Sequence, residues 1–247
     1  MPRLQEEFLK KLHGLGKPVV LVLLNGSALA VNWATEHIPA IVEAWYPGQA
    51  GGDALADVLF GDYNPGGRLP VMFYRSVDDL PPFDDYRMEG RTYRYFEGEP
   101  LFAFGYGLSY TEFLFDNLQI SPGRIRAGDQ VTVSCEVTNT GDRAGDEVVQ
   151  LYIRHPQATV PCPIKALKGF ARITLEPGET KTVTFILHTD LLAIYDENVR
   201  HVVQPGLVDV MVGNSSDSLP LSGQLEIVGP PAEVGLSKTF FSTTQIR

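Results

Sequence analysis

Residues 90–113 read GRTYRYFEGEPLFAFGYGLSYTEF, and the character of the sequence changes across this aromatic stretch. Apolar runs and amphipathic segments precede it, as in α/β domains, whereas short alternating strands separated by turns follow it, as in all-β domains. Large rings bury much surface at low entropic cost, and arginine side chains stack on them. We interpret the aromatic stretch as packing two domains together; the alternative is that some of its rings and arginines line a sugar-binding cleft.

Before the aromatic stretch, two apolar runs predict neighbouring parallel strands. The runs are residues 17–24 (KPVVLVLL) and 40–45 (AIVEAW), and continuous apolar runs are typical of strands that are covered on both faces. The first of three amphipathic segments presents Leu4, Phe8 and Leu12 on one face of a helix. Helices are predicted over residues 2–12, 33–38 and 51–61.

Two parallel strands are too few for a stable sheet, since each needs neighbours on both sides and cover on both faces. We therefore expect the sheet to be completed by polypeptide outside this sequence or by a partner subunit. Ligands of open α/β sheets lie beyond the carboxyl ends of the strands. Those ends are the loops 25–27 and 46–49, which are candidate walls of a cleft; the alternative is that they are ordinary turns.

Residues 74–92 are predicted to form a long linker rich in proline, aspartate and arginine. A loop of this length is usually functional or mobile, and we predict that it covers or borders the same cleft. The candidate cleft-wall residues are aromatic rings, arginines and one amide: Trp45, Tyr46, Gln49, Tyr86, Arg87 and Arg91.

After the aromatic stretch, about seven short strands with turns between them are typical of an immunoglobulin-like or fibronectin type III-like sandwich. Residues 139–145 (NTGDRAG) predict a hairpin-like loop, and Asn214-Ser215-Ser216 matches a glycosylation sequon, a motif that is frequent by chance. Strands are predicted over residues 113–120, 130–138, 148–153, 165–175, 182–187, 206–212 and 221–228. The predicted division is an α/β part over 1–73, a linker and cleft-bordering loop over 74–109, and a β-sandwich over 110–247.

The composition is that of a globular protein, with 44% hydrophobic and 20% charged residues. A net charge of −10 argues against nucleic acid or an anionic membrane as a partner. Cys135 and Cys162 are interpreted as free thiols, with a disulfide between them left open, and neither a metal site nor a cofactor is predicted. The N-terminal segment carries charges throughout and lacks the apolar core of a signal peptide.

Four segments resemble glycoside hydrolase family 3, which includes β-glucosidases and β-xylosidases. They are residues 17–27 (KPVVLVLLNGS), 45–70 (WYPGQAGGDALADVLFGDYNPGGRLP), 94–111 (RYFEGEPLFAFGYGLSYT) and 137–152 (VTNTGDRAGDEVVQLY). The resemblance implies a TIM-like barrel, then an α/β sandwich domain, then a fibronectin type III-like domain. The sequence resembles the last part of the α/β sandwich followed by the whole β-sandwich, without the barrel.

The resemblance also implies where the two carboxyl groups of a retaining glycosidase would lie. The nucleophile of the family is an aspartate on the barrel, and the acid/base is a glutamate in a Gly-Glu-Gly loop ahead of the first strand. No Gly-Glu-Gly precedes Lys17, and neither Glu89 nor Glu97 lies in the acid/base position. Ala50 departs from the glutamate that many relatives carry there. We therefore assign no catalytic residue and expect this chain alone to be inactive.

The predicted function is that of the C-terminal portion of a retaining, exo-acting β-glucosidase or β-xylosidase, acting on β-linked oligosaccharides or glycosides through the barrel. The alternative is a non-catalytic carbohydrate-binding or assembly module, or one chain of a split glycosidase, with a partner chain or a homodimer. The localisation stays open, since the family is often periplasmic or secreted and sometimes cytoplasmic. The sugar specificity and the oligomeric state also stay open.

Overall fold

The computed structural model describes residues 1–158, 160–236 and 238–247. Its helices are α1 (Arg3–His13), α2 (Asn32–His37), α3 (Gly51–Phe60) and α4 (Thr92–Tyr95), with 3₁₀ turns at Val77–Asp79 and Thr189–Leu192. Its strands are β1 (Val20–Leu23), β2 (Ala40–Glu43), β3 (Phe113–Ser121), β4 (Arg124–Arg126), β5 (Gln130–Asn139), β6 (Gly145–Arg154), β7 (Ala166–Leu175), β8 (Thr180–His188), β9 (Ile194–Tyr195), β10 (His201–Val203), β11 (Gly206–Gly213), β12 (Leu221–Val228), β13 (Ala232–Glu233) and β14 (Thr243–Ile246).

The α/β part contains the two parallel strands that the apolar runs predict. β1 and β2 pair in register from Val20 opposite Ala40 to Leu23 opposite Glu43. Within the described residues each of these strands has one neighbour, so the outer edge of each is unpaired. Val20 at the start of β1 is 45% exposed, although the sequence pattern is that of a strand covered on both faces. Within the described chain, the sheet therefore lacks the neighbouring strands and packed layers that would bury its edges and faces.

The helix α1 forms where the periodicity predicts it, but its apolar face is exposed. Leu9 is the one buried residue of α1, whereas Leu4 is 78% and Phe8 is 62% exposed. The face predicted to carry Leu4, Phe8 and Leu12 is therefore largely uncovered by the described chain, since Leu4 and Phe8 are exposed. Helix α3 ends as predicted at Gly61, whose φ of 82° is the left-handed C-terminal conformation that glycine favours.

The second part is the fibronectin type III-like sandwich. One sheet has the order β4-β12-β11-β6-β7 and the other has the order β14-β8-β5-β3, with a small sheet β13-β10-β9 beside them. The alternation predicted for β5 is confirmed, since Val131, Val133, Cys135 and Val137 are at most 1% exposed. Burial raises the pKa of the Cys135 thiol to about 12, and both cysteines are free thiols, as predicted.

The loop at residues 139–145 is a crossover between the two sheets and not a hairpin. β5, before the loop, pairs with β3 and β8, whereas β6, after it, pairs with β7 and β11. The buried Asn139 side chain holds the crossover, since its Nδ2 donates to the carbonyl oxygens of Arg143 (2.8 Å) and Leu175 (3.0 Å). Sequence spacing cannot distinguish the two connections, because the turn residues of this loop suit both.

The aromatic stretch contacts the sandwich through rings and backbone groups. The Tyr93 ring stacks on Phe104 with centroids 4.3 Å apart and meets Tyr152 of β6 edge-on at 5.9 Å. The Tyr93 hydroxyl accepts a hydrogen bond from the Leu167 amide at 3.1 Å, and the Ser216 amide donates to the Phe104 carbonyl at 2.8 Å. These contacts attach residues 93–104 to β6, β7 and the turn after β11.

A buried ion pair joins the two parts of the chain. The Arg68 Nη2 lies 2.6 Å from the Glu147 Oε1 on β6, and the side chains are 6% and 2% exposed. Glu147 also accepts hydrogen bonds from the Val148 amide (2.7 Å) and the Asn214 Nδ2 (3.2 Å). Asn214 donates to Glu147, and Ser215 and Ser216 are buried. The sequon is therefore part of the contact between the α/β part and the sandwich.

Candidate functional site

The carboxyl ends of β1 and β2 carry a linked group of polar side chains. The Glu43 Oε1 accepts a hydrogen bond from the Trp45 amide at 3.1 Å, and its Oε2 accepts one from the Asn25 Nδ2 at 3.3 Å. The Asn25 Nδ2 also donates to the Ser27 carbonyl at 2.6 Å. Burial raises the pKa of Glu43, while the hydrogen bonds from Trp45 and Asn25 act in the opposite direction. One carboxylate therefore ties the two strand-end loops together.

An open cavity of about 470 Å³ lies beside this carboxylate. The two strand-end loops contribute to its wall, as does the segment that follows the turn at residues 62–67. The walls are mostly apolar, with the Trp45 indole as the only aromatic ring among the lining residues. The lining residues are Gly26, Ser27, Ala28, Trp45, Pro70 and Val71. A large, shallow and mostly apolar site with one indole suits the apolar face of a small ring better than a charged ligand.

The other two candidates on the second loop lie outside the cavity wall. The Tyr46 ring lies over Gly26, where a Cβ atom would come within 2.8 Å of the Tyr46 Cε2, so a larger residue at this position would displace the ring. Tyr46 is nevertheless 77% exposed, and Gln49 is exposed at the start of α3. These two side chains are available to a ligand or to another part of a larger protein.

The linker candidates belong to a separate loop that is held together by arginine. Arg87 forms an exposed ion pair with Asp85 (Nη2 to Oδ2, 2.6 Å), which lowers the pKa of Asp85 to about 2. The Arg91 guanidinium donates to three backbone carbonyl oxygens of the loop, at Pro82 (3.2 Å), Asp85 (2.5 Å) and Arg87 (3.1 Å). Tyr86 is 92% exposed between them. The two arginines therefore shape the loop, which presents Tyr86.

Of the six candidates, Trp45 alone lines the cavity, and the structure adds Asn25 and Glu43 behind it. The sequence carries one signal for Glu43, which is an ionisable residue inside an otherwise apolar strand (AIVEAW). Such a residue needs a hydrogen-bond partner, and the polar Asn25 ends the neighbouring strand. Sequence reasoning missed this pair because the register of β1 against β2 decides which side chains meet.

The glutamates that resemble an acid/base loop are exposed. Glu89 lies 3.9 Å from Arg87 and is more than four-fifths exposed, and Glu97 is exposed as well. Neither of these side chains is in the cavity wall, so neither is placed to act as a general acid there. Among the described residues no group of three or more His, Cys, Asp or Glu side chains could hold a metal ion. No helix of the described chain is long and apolar enough to cross a membrane.

We expect the Arg91→Ala substitution to open the loop at residues 82–91 locally. The variant loses three hydrogen bonds to backbone carbonyls, each worth a net of about 1 kcal/mol or less after exchange with water. Amide hydrogen exchange of Asp85 and Arg91 should therefore accelerate roughly tenfold, with little change in global stability. Arg87→Ala is the matched control, because it removes an exposed ion pair and leaves the carbonyl contacts in place. Equal protection in both variants would contradict the role given to Arg91.

Comparisons with known proteins agree with this architecture. Residues 1–110 match the glycosyl hydrolase family 3 C-terminal domain, and residues 147–216 match a fibronectin type III-like domain. A β-xylosidase of Formosa agariphila is 48% identical over 86% of this chain, and a periplasmic β-glucosidase of Salmonella typhimurium is 42% identical over 87% of it. The chain spans 30% of the length of each of these curated relatives.

Solved structures of larger proteins contain the same fold. The β-glucosidase of Listeria innocua in complex with glucose superposes with a TM-score of 0.82 at 33% identity, covering 93% of this chain and 34% of that one. The β-glucosidase 3B of Thermotoga neapolitana in complex with α-D-glucose also gives a TM-score of 0.82 at 33% identity, with 91% and 33% covered. In the relatives compared, the matching region is the C-terminal part.

Proposed function

Because the chain belongs to glycosyl hydrolase family 3, as its C-terminal domain followed by a fibronectin type III-like domain, we propose that it works within a retaining, exo-acting β-glycosidase. The substrate class is a β-glucoside or a β-xyloside, since the similar curated relatives are β-xylosidases and β-glucosidases. The nucleophile and the acid/base belong to other parts of that enzyme, and this chain supplies a wall of the substrate cleft.

The observation that carries the proposal is the incomplete sheet with a cavity at its carboxyl edge. Among the described residues, β1 and β2 have no further strand beside them, and the side chains around them expose large apolar surface. An exposed apolar surface of this kind is typical of a contact site. The proposed occupant is the catalytic part of the enzyme, which would cover α1 and leave the cavity open towards the substrate. The exposed large apolar residues of this half include Leu4, Phe8, Leu24, Phe60, Phe83 and Tyr86.

Within this proposal the six cleft-wall candidates take different roles. Trp45 lines the cavity and offers an indole for stacking against a pyranose ring. Tyr46 and Gln49 flank it, and Arg87 and Arg91 hold the loop that presents Tyr86 towards the cleft. We propose that residues 1–73 carry the cavity, that the linker over residues 74–109 borders the cleft, and that the sandwich over residues 110–247 acts as a scaffold.

We expect this chain alone to hydrolyse neither 4-nitrophenyl β-D-glucopyranoside nor the corresponding xylopyranoside. Loss of both a nucleophile and a general acid should leave a rate at least ~10⁴-fold below that of the full-length protein that contains this sequence. The rates of nitrophenol release are measured for both proteins at equal molar concentration. Turnover by this chain alone would contradict the proposal, and so would an inactive full-length protein.

The alternative of a separate carbohydrate-binding or assembly module is tested with the same material. Calorimetric titration of this chain with xylo- and cello-oligosaccharides should show no binding if the cavity is completed only by the catalytic part. Sedimentation of this chain with the missing N-terminal part should show a complex that buries the α1 surface. Strong sugar binding by this chain alone would favour the binding-module alternative.

A further inference from the structure

Trp45 has a backbone conformation that a bulky residue rarely adopts. Its φ is 50°, in the left-handed region that favours glycine. A non-glycine residue stays there only when the surrounding structure holds it, and such residues occur most often at functional sites. Contacts from neighbouring groups must therefore hold Trp45 in this conformation at the edge of the cavity.

The backbone of Trp45 is held by Glu43. The Glu43 Oε1 accepts the Trp45 amide hydrogen at 3.1 Å, two residues along the chain, so the turn between them is closed by the carboxylate. The other oxygen of this carboxylate accepts from Asn25, which in turn donates to the Ser27 carbonyl. Because Ser27 and Trp45 both line the cavity, Glu43 fixes the two loops relative to each other.

The indole itself is supported by a buried ring. The Trp45 and Phe73 ring centroids are 6.1 Å apart at an interplanar angle of 71°, and Phe73 is 1% exposed. Phe73 is anchored through backbone hydrogen bonds to Phe102 (2.9 Å) and Leu101 (2.7 Å) of the aromatic stretch. Phe73 therefore limits movement of the indole towards the protein interior. Glu43 fixes the Trp45 backbone and so the direction in which the side chain projects.

We propose that Glu43 is a positioning residue, whose carboxylate holds the Trp45 indole in the cavity wall so that it receives the apolar face of a pyranoside. Glu43 is not itself among the residues that line the cavity, so it acts through Trp45 and does not touch the ligand. The ligand class rests on the proposed function, whereas the effect of Glu43 on Trp45 does not. The role also gives a reason for an ionisable side chain within the apolar run AIVEAW, where burial raises the pKa of Glu43.

The test uses tryptophan fluorescence, because the chain has two tryptophans, Trp33 and Trp45. In a Trp33→Phe background, Trp45 is the single indole emitter. Glu43→Leu removes both acceptors, and we expect a red-shifted emission and stronger quenching by acrylamide. Glu43→Gln keeps one oxygen that can accept from the Trp45 amide, so its values should lie between those of Glu43→Leu and the parent. Glu36→Gln, an exposed change on α2, is the matched control and should leave the emission unchanged.

The second readout is kinetic and uses the full-length protein that contains this sequence. Loss of positioning should raise KM for the 4-nitrophenyl glycoside roughly tenfold in Glu43→Leu while kcat changes less than about twofold, as expected for lost uniform binding. Glu43→Gln should recover most of the affinity. A merely structural residue would lower the apparent kcat in proportion to the folded fraction, which circular dichroism measures, and would leave KM unchanged.

Two outcomes would overturn the proposal. If Glu43→Leu and Glu43→Gln leave the emission and quenching of Trp45 at parental values, Glu43 does not position the indole, whatever the protein hydrolyses. If the emission shifts as expected but KM stays at the parental value, the indole does not face the substrate. A full-length protein without any glycosidase activity would refute the proposed function, while the fluorescence result would still decide the role of Glu43.

Discussion

Replacing Glu147 by leucine should lower the free energy of unfolding by about 3–5 kcal/mol. The substitution leaves the Arg68 guanidinium buried without its carboxylate, and removing one partner of a buried pair is costly because the other charge stays out of water. The Arg68 Nε already has no hydrogen-bond partner among the described residues. Removing the carboxylate therefore leaves a second part of the buried guanidinium without an acceptor. The Val148 amide and the Asn214 side chain lose an acceptor as well. Urea unfolding followed by circular dichroism measures the change.

A double-mutant cycle separates the pair from its surroundings. Arg68→Met combined with Glu147→Leu removes both charges, and the double variant should be more stable than Glu147→Leu alone, because replacing a whole buried pair by apolar side chains is often close to neutral. The control is the exposed pair Arg124–Glu226, at 3.0 Å, where Glu226→Leu should cost no more than about 1 kcal/mol. A loss below about 1 kcal/mol for Glu147→Leu would contradict the view that this ion pair joins the two parts.

Gly107→Ala should destabilise the protein by about 2–3 kcal/mol through overpacking. A Cβ atom at this position would lie 2.3 Å from the Gly67 carbonyl oxygen and 3.0 Å from the Arg68 Cδ and Nη1 atoms. The nearest atom is backbone, so the clash is relieved only by moving the segment that carries Arg68 away from the aromatic stretch. Thermal and urea unfolding of the variant check the expected loss.

The matched control for Gly107 is Gly52 in α3. A Cβ atom at Gly52 meets nothing within 4 Å, so Gly52→Ala should leave stability unchanged or raise it by up to about 1 kcal/mol through the helix propensity of alanine. The Gly107→Ala and Glu147→Leu effects should also fall short of additivity, because both act on the position of Arg68. Equal effects of Gly107→Ala and Gly52→Ala would show that the close approach at Gly107 is not required.

Local patterns predicted the longer helices and strands but not the short elements α4, β4, β9, β10, β13 and β14. The period-two alternation of Val131, Val133, Cys135 and Val137 predicted a strand with one buried face, and the apolar runs predicted a parallel pair, because burial of alternate or successive side chains follows directly from strand geometry. Gly61 marked the end of α3, since glycine favours the left-handed conformation found there. The quoted motifs also identified the family, because short segments of this specificity rarely occur together by chance.

Tertiary structure decided what local patterns could not. The periodicity that predicted α1 places Leu4 and Phe8 on one apolar face, yet both are exposed, because a helix pattern does not reveal whether a covering element is present. The crossover at residues 139–145 was likewise read as hairpin-like, because turn residues suit both connections. Of the candidate cleft residues, Trp45 lines the cavity, whereas Arg87 and Arg91 satisfy groups of their own loop.

By itself, the sequence determined the order of the longer helices and strands, the two-part fold and the family, since these depend on neighbours along the chain. Only the tertiary structure showed that Glu43 meets Asn25 across two parallel strands and that Arg68 meets Glu147, 79 residues away. The physical reason is that a buried polar group is stabilised by whichever partner the fold brings within hydrogen-bond distance, and that distance is set by strand register and domain packing.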